Sequence, residues 1–148
     1  MLRQFIVGGG VSVCNIAIHA LMMTLVVQMA RITAESETTH SSVLLIGVMI
    51  AAVSVLMIAH AFEVIVWSLA YWIVDAAPDS KLVYFAFVNY TTLGYGDVIP
   101  AQSWQLLGPI AAMNGVLLFG WSTAVIFEIL RRTMTVAAWE GREAPRAR

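Results

Sequence analysis

The chain has 148 residues, of which 60% are hydrophobic and 11% charged, with a mean hydropathy of +0.83. A soluble domain carries about 25% charged residues to cover itself, so a water-soluble globular enzyme is excluded at the outset. Lys plus Arg number 8 against 9 for Asp plus Glu, so no basic excess points to nucleic acid, and the single Cys14 excludes an internal disulfide or a cysteine cluster for zinc.

The length admits one domain. Residues 4–30 carry no Lys, Arg, Asp or Glu. A helix crossing the ~30 Å hydrocarbon core needs about 20 apolar residues, so a first membrane helix is predicted at 4–29. Arg3 ahead of it is a weak match to a secretory signal, but the apolar run is too long for one. Gly8-Gly9-Gly10 weakens the first turns. Spanning the bilayer and lying in its interface both stay open for this helix. Cys14 and the lone His19 read as packing residues. Residues 31–42 form a polar connector. The second charge-free run, 38–62, is separated from 64–74 by Glu63 alone, and a second helix is predicted at 43–74.

The next charge-free run, 82–96, is too short to cross as a helix and ends in Gly94-Tyr95-Gly96. Non-helical backbone survives in a bilayer only when buried in protein or lining a wet cavity, so this segment is expected to re-enter from one side. Pro78 suits a helix first turn and Asp79 its positive dipole end, giving a short helix over 78–91. Residues 79–90 make ~18 Å of helix, enough to reach mid-membrane and aim partial negative charge there. Thr92 to Gly96 then return in extended form with carbonyls that no helix satisfies. A column of dehydrated cations resolves that conflict, and glycines at 94 and 96 permit the backbone angles it needs. A third spanning helix is predicted at 104–130, from the charge-free run 98–127, followed by an Arg-rich tail at 131–148.

Arg131, Arg132, Arg142, Arg146 and Arg148 follow the last helix, while Asp75, Asp79, Lys81 and Asp97 make the preceding connection acidic. The positive-inside rule therefore expects a cytoplasmic C-terminus and a re-entrant segment opening outward, in an integral plasma or inner membrane protein. Trp67, Tyr71, Trp72 and Trp104 fit an outer aromatic belt.

Thr91-Thr92-Leu93-Gly94-Tyr95-Gly96-Asp97 resembles the selectivity-filter signature of potassium channels, with Leu93 where Val or Ile is usual. The resemblance covers about 77–130. It implies a pore helix (78–91), a filter (92–96) and an inner helix (104–130) in a homotetramer; with the first helix and the outer helix (43–74) read from the charge-free runs, the expectation is an all-α membrane protein. The resemblance also implies potassium ions as the bound species, held by the carbonyls of Thr92, Leu93, Gly94 and Tyr95 with the Thr92 hydroxyl, and Gly96 completing the filter. Tyr84 and Phe85 fall where the family often braces the filter with a Trp pair, and Tyr84 is expected to hydrogen-bond Asp97. Gly115 and Gly120 resemble the glycines at which some inner helices bend, with close helix packing as the alternative.

His60 and Glu63 lie three apart on one face of the outer helix, with Glu63 about 14 Å deep and Asn114 of the inner helix about 15 Å deep. Two roles are open for them: a satisfied buried network against the pore helix, or a proton sensor behind the filter. Glu128 pairs with Arg131 and Arg132 or contributes to an acidic ring. No arginine-studded voltage sensor, nucleotide loop or catalytic triad is visible, and the tail is too short for a ligand-binding domain. The expectation is a potassium-selective channel, not an enzyme, embedded in lipid with no nucleic-acid or nucleotide partner. Its alternatives are a non-selective cation channel and a non-conducting potassium-binding subunit of a transporter or sensor complex.

Overall fold

A computed structural model describes residues 1–34 and 42–143. Four helices follow one another: α1 (Leu2–Ala34), α2 (Ser42–Ile73), α3 (Leu82–Tyr90) and α4 (Leu107–Glu143). Single 3-10 turns, Asp79–Lys81 and Gln102–Trp104, lead into α3 and α4. Three segments are long and apolar enough to span a membrane: Leu2–Met29, Ile46–Ile73 and Gln102–Arg131. The fold is all-α, and the described residues contain no strand.

The predicted boundaries differ from these elements in instructive ways. The charge-free run predicts the third helix at 104–130, yet α4 continues to Glu143. No Gly or Pro interrupts 121–140, so nothing in the chain stops the helix where the hydrophobic run ends. The helix placed at 4–29 runs on to Ala34 for the same reason. The connector at 35–41 and the tail at 144–148 lie outside the described residues. The short helix predicted at 78–91 is a 3-10 turn followed by nine α-helical residues, with Pro78 as its N-cap.

α1 lies along both α2 and α4 rather than across them. Near its start, a Cβ on Gly8 would come within 2.9 Å of Ile110, so glycine permits the close crossing there. Gln4 Oε1 accepts a hydrogen bond from Leu106 N–H at 2.8 Å, satisfying a donor ahead of α4. The Arg3 guanidinium lies 4.2 Å from the centroid of the Trp104 ring, a cation–π contact of roughly 0.5–1 kcal/mol. The start of α1 therefore lies at the same end of the bundle as the start of α4. Cys14, expected to pack, is exposed on the outer face of α1.

Two apolar cores hold the bundle. One joins Val64, Trp67, Tyr71, Phe85, Tyr90, Leu107 and Ile110 of α2, α3 and α4. The other, toward the opposite end of the bundle, joins Met23 and Val26 to Leu56 and Ile129. The belt expectation is corrected for three residues: Trp67 and Tyr71 are fully buried and Trp104 is buried in the same core, while Trp72 remains 58% exposed. Both fully buried rings have a polar partner, Trp67 through Asn114 Oδ1 at 3.1 Å and Tyr71 through Leu107 O at 3.4 Å. An aromatic ring whose polar tip is bonded inside the bundle no longer needs the wet interface.

Candidate functional site

α2 ends and the segment 92–96 begins with the same backbone device. At the end of α2, Asp75 takes φ 54°. Its N–H donates to Trp72 O at 3.1 Å and the next N–H, of Ala76, to Tyr71 O at 2.9 Å. At the end of α3, Thr92 takes φ 62°. Its N–H donates to Asn89 O at 3.0 Å and that of Leu93 to Val88 O, also at 3.0 Å. Each is a Schellman termination, in which a left-handed residue lets the chain turn back on the last carbonyls of a helix. Glycine usually fills that position. Asp tolerates it, but a β-branched Thr there is a real conformational outlier, of the kind that collects at functional sites.

Beyond Thr92 the φ angle is positive again at Gly94 (59°) and Gly96 (77°), so every second residue of 92–96 is left-handed. The five carbonyls of Thr92, Leu93, Gly94, Tyr95 and Gly96 accept no hydrogen bond from the described residues. All five residues are exposed on the single chain. The Thr91 hydroxyl donates back to Phe87 O at 2.7 Å. The Thr92 hydroxyl has no such partner among the described residues.

The expected braces divide. The Tyr84 hydroxyl lies within electrostatic reach of the Asp97 carboxylate. Phe85 turns away from the glycine-rich segment into the core, 4.9 Å from the Tyr71 ring centroid. Gly115 is a packing glycine, because a Cβ there would fall 2.0 Å from Tyr90 O. Gly120 has open space around it. Both carboxylate oxygens of Glu128 accept from Arg131 at 2.9 Å, within α4.

Behind α3 lies a buried polar cluster to which all four helices contribute. Glu63 Oε1 accepts from His19 Nδ1 at 2.7 Å and Oε2 from His60 Nδ1 at 2.9 Å. The Tyr90 hydroxyl also donates to Glu63 Oε2 and lies 2.9 Å from His60 Nδ1. Ser122 Oγ sits 3.0 Å from His60 Nε2 and 3.3 Å from His19 Nε2. Asn15 Nδ2 donates to the Glu63 carbonyl and to Asn114 Oδ1, both at 3.2 Å. Glu63 thus meets α3 through Tyr90, and Asn114 reaches it only through Asn15. His19, read from sequence as a lone packing residue, is a full member of the cluster. The signal for it was Asn15 and His19 four apart, one polar face inside a charge-free run.

The family model described as "Ion channel" matches residues 43–132, more than half of the chain. No curated protein and no solved structure matches it.

Proposed function

The chain belongs to the ion channel family and is an integral membrane protein rather than an enzyme, and from that premise we propose that it is one subunit of a potassium-selective homotetramer. In this reading α3 is a pore helix that re-enters the membrane, Thr92–Gly96 is the filter strand, and α4 lines the path below it. Four strands arranged about a common axis present rings of carbonyls that replace the water of a dehydrated potassium ion. The C-terminus is cytoplasmic and the filter opens outward. The matched region leaves α1 outside, as a third membrane helix added to the two-helix pore unit.

One observation carries the reading. Positive φ at Thr92, Gly94 and Gly96 coincides with five backbone carbonyls that no described protein donor satisfies. Alternating left- and right-handed residues bring peptide carbonyls to one side of a strand. Exposed on one chain, these carbonyls become buried once four strands close on an axis, and buried carbonyls are paired in native proteins, so they then call for a partner that is not protein. A cation column is such a partner. Tyr84, close to Asp97 at the outer end of the strand, supports it as a brace.

The test is the reversal potential of the purified chain in liposomes under opposed potassium and sodium gradients. Strong preference for potassium is expected, with block by barium, which is of potassium's size and doubly charged. Equal permeability would refute selectivity and leave the non-selective channel. Potassium binding without flux would leave the non-conducting subunit.

A further inference from the structure

The buried cluster contains a closed loop. Glu63 Oε1 contacts His19 Nδ1; His19 Nε2 contacts Ser122 Oγ; Ser122 Oγ contacts His60 Nε2; His60 Nδ1 returns to Glu63 Oε2. These four links need four hydrogens. A carboxylate supplies none, each neutral imidazole one, and a serine hydroxyl one. The neutral-histidine ring therefore holds three hydrogens and a charge of minus one. We propose that this ring is a binding site for one proton per subunit, the fourth hydrogen that closes it.

The added proton comes from water at the His60 edge, where that side chain is 15% exposed; Glu63 and His19 are fully buried. No other bond breaks, and the ring becomes neutral. Both placements of the proton close the loop. It rests on one histidine beside a Glu63 carboxylate, or on Glu63 beside two neutral imidazoles, and passes between them along an Nδ1–Oε contact with Ser122 unmoved; the Ser122 hydroxyl reverses only when the doubly protonated ring changes from His19 to His60. Without the proton, the Tyr90 hydroxyl is the one remaining donor for both His60 Nδ1 and Glu63 Oε2, so two acceptors 2.9 Å apart share a single hydrogen and the buried carboxylate keeps its charge, both costly away from water. With a second proton, both Nε2 atoms donate to Ser122 and its own hydrogen loses its acceptor in the ring. The titratable groups facing the site are Glu63 and His60 from α2, His19 from α1 and Tyr90 from α3, while α4 presents Ser122 and Asn114. Ligand atoms of His19, His60 and Glu63 also lie within 4.8 Å of one another, as a divalent cation would require. The imidazole–carboxylate contacts of 2.7 and 2.9 Å are nonetheless hydrogen-bond lengths. Tetrahedral zinc with bonds of about 2.0–2.1 Å holds its ligands roughly 3.3 Å apart.

The ring reaches the filter through Tyr90, which bonds Glu63 and lies two residues before Thr92. Proton occupancy therefore sets the seat of the pore helix and, through it, conduction. The binding site stands without the potassium-channel reading; only its effect on flux rests on that reading.

Glu63→Gln is the decisive variant. Its amide accepts from one imidazole and donates to the other, so the ring closes with four hydrogens, neutral and without an added proton. Nitrogen-15 histidine spectra together with the infrared carboxyl band count the hydrogens in reconstituted protein. At neutral pH the wild type should show one proton beyond two neutral imidazoles and a carboxylate, and Glu63→Gln none. Zero or two in the wild type, or one in the variant, overturns the site. Potassium flux should change between acid and alkaline baths in the wild type and stay at its acid-side value at every pH in Glu63→Gln. An intact proton count with pH-independent wild-type flux overturns the coupling through Tyr90. An intact count with no potassium flux in either protein places the failure in the conduction reading instead.

Discussion

Thr92, Gly94 and Gly96 show how single residues set a backbone that the rest of the chain tolerates. A Cβ on Gly96 would meet nothing within 4 Å, so its constraint is the φ of +77° and not space. Gly96→Ala is therefore expected to abolish flux while the protein still assembles, because the added methyl disfavours the left-handed angle without clashing. Flux assays alongside size-exclusion chromatography check this; normal flux would remove 92–96 from the conduction path. Gly115 is the opposite case. Its φ is ordinary, but a Cβ would strike the Tyr90 carbonyl at 2.0 Å, and backbone cannot step aside as a side chain can. Gly115→Ala should destabilise by about 1–3 kcal/mol, the usual range for overpacking, whereas Gly120→Ala should be tolerated. Denaturation midpoints of the two variants give the comparison. The sequence makes the left-handed backbone at Gly94 and Gly96 legible because backbone geometry is local. It does not separate Gly115 from Gly120, because what a glycine faces depends on which element packs against it.

At the scale of elements, hydrophobic runs report where the membrane lies and not where helices stop. α4 passes the end of its apolar span at Arg131 and continues to Glu143, since no Gly or Pro interrupts 121–140 and charge alone does not stop a helix. Pairing between elements was legible only in part. The one-face spacing of His60 and Glu63 showed that they belong together, but a sequence pattern on α2 carries no information about α1, so His19 and Asn15 were not joined to them. Trp67 and Tyr71 looked like belt residues because an aromatic near a helix end fits either solvent. Their buried partners, Asn114 and the Leu107 carbonyl, decide the matter. The α2–α3 contact centres on the Tyr90 hydroxyl, which donates to Glu63 and sits 2.9 Å from His60 Nδ1. Tyr90→Phe keeps the ring in the core and removes that hydroxyl. It is expected to cost about 1.5–3 kcal/mol, as for hydrogen bonds to charged groups, read as a lowered denaturation midpoint.

For the whole molecule, the single chain is an incomplete object. Leu93, Tyr95 and Ile99 around the filter are 54%, 68% and 76% exposed, and Met113 and Leu117 on α4 are 61% and 63% exposed. Lipid suits the outer faces of α1 and α2. It does not suit a strand whose carbonyls lack donors, because unsatisfied backbone in hydrocarbon costs several kcal/mol per group. The arrangement that meets both demands turns the filter strand and the adjacent α4 face toward copies of themselves about one axis. Four copies make the number testable through mixing. Gly96→Ala subunits are expected to assemble without conducting, so co-expression with wild type should poison any channel that contains one. If four subunits share one pore and combine at random, an equal mixture leaves roughly one channel in sixteen entirely wild type, from the fourth power of one half. Flux per wild-type subunit, measured across mixing ratios, should then follow the cube of the wild-type fraction. A flux per wild-type subunit that stays constant would mean that each chain conducts alone, and a fall in direct proportion to the fraction would mean a pore built from two.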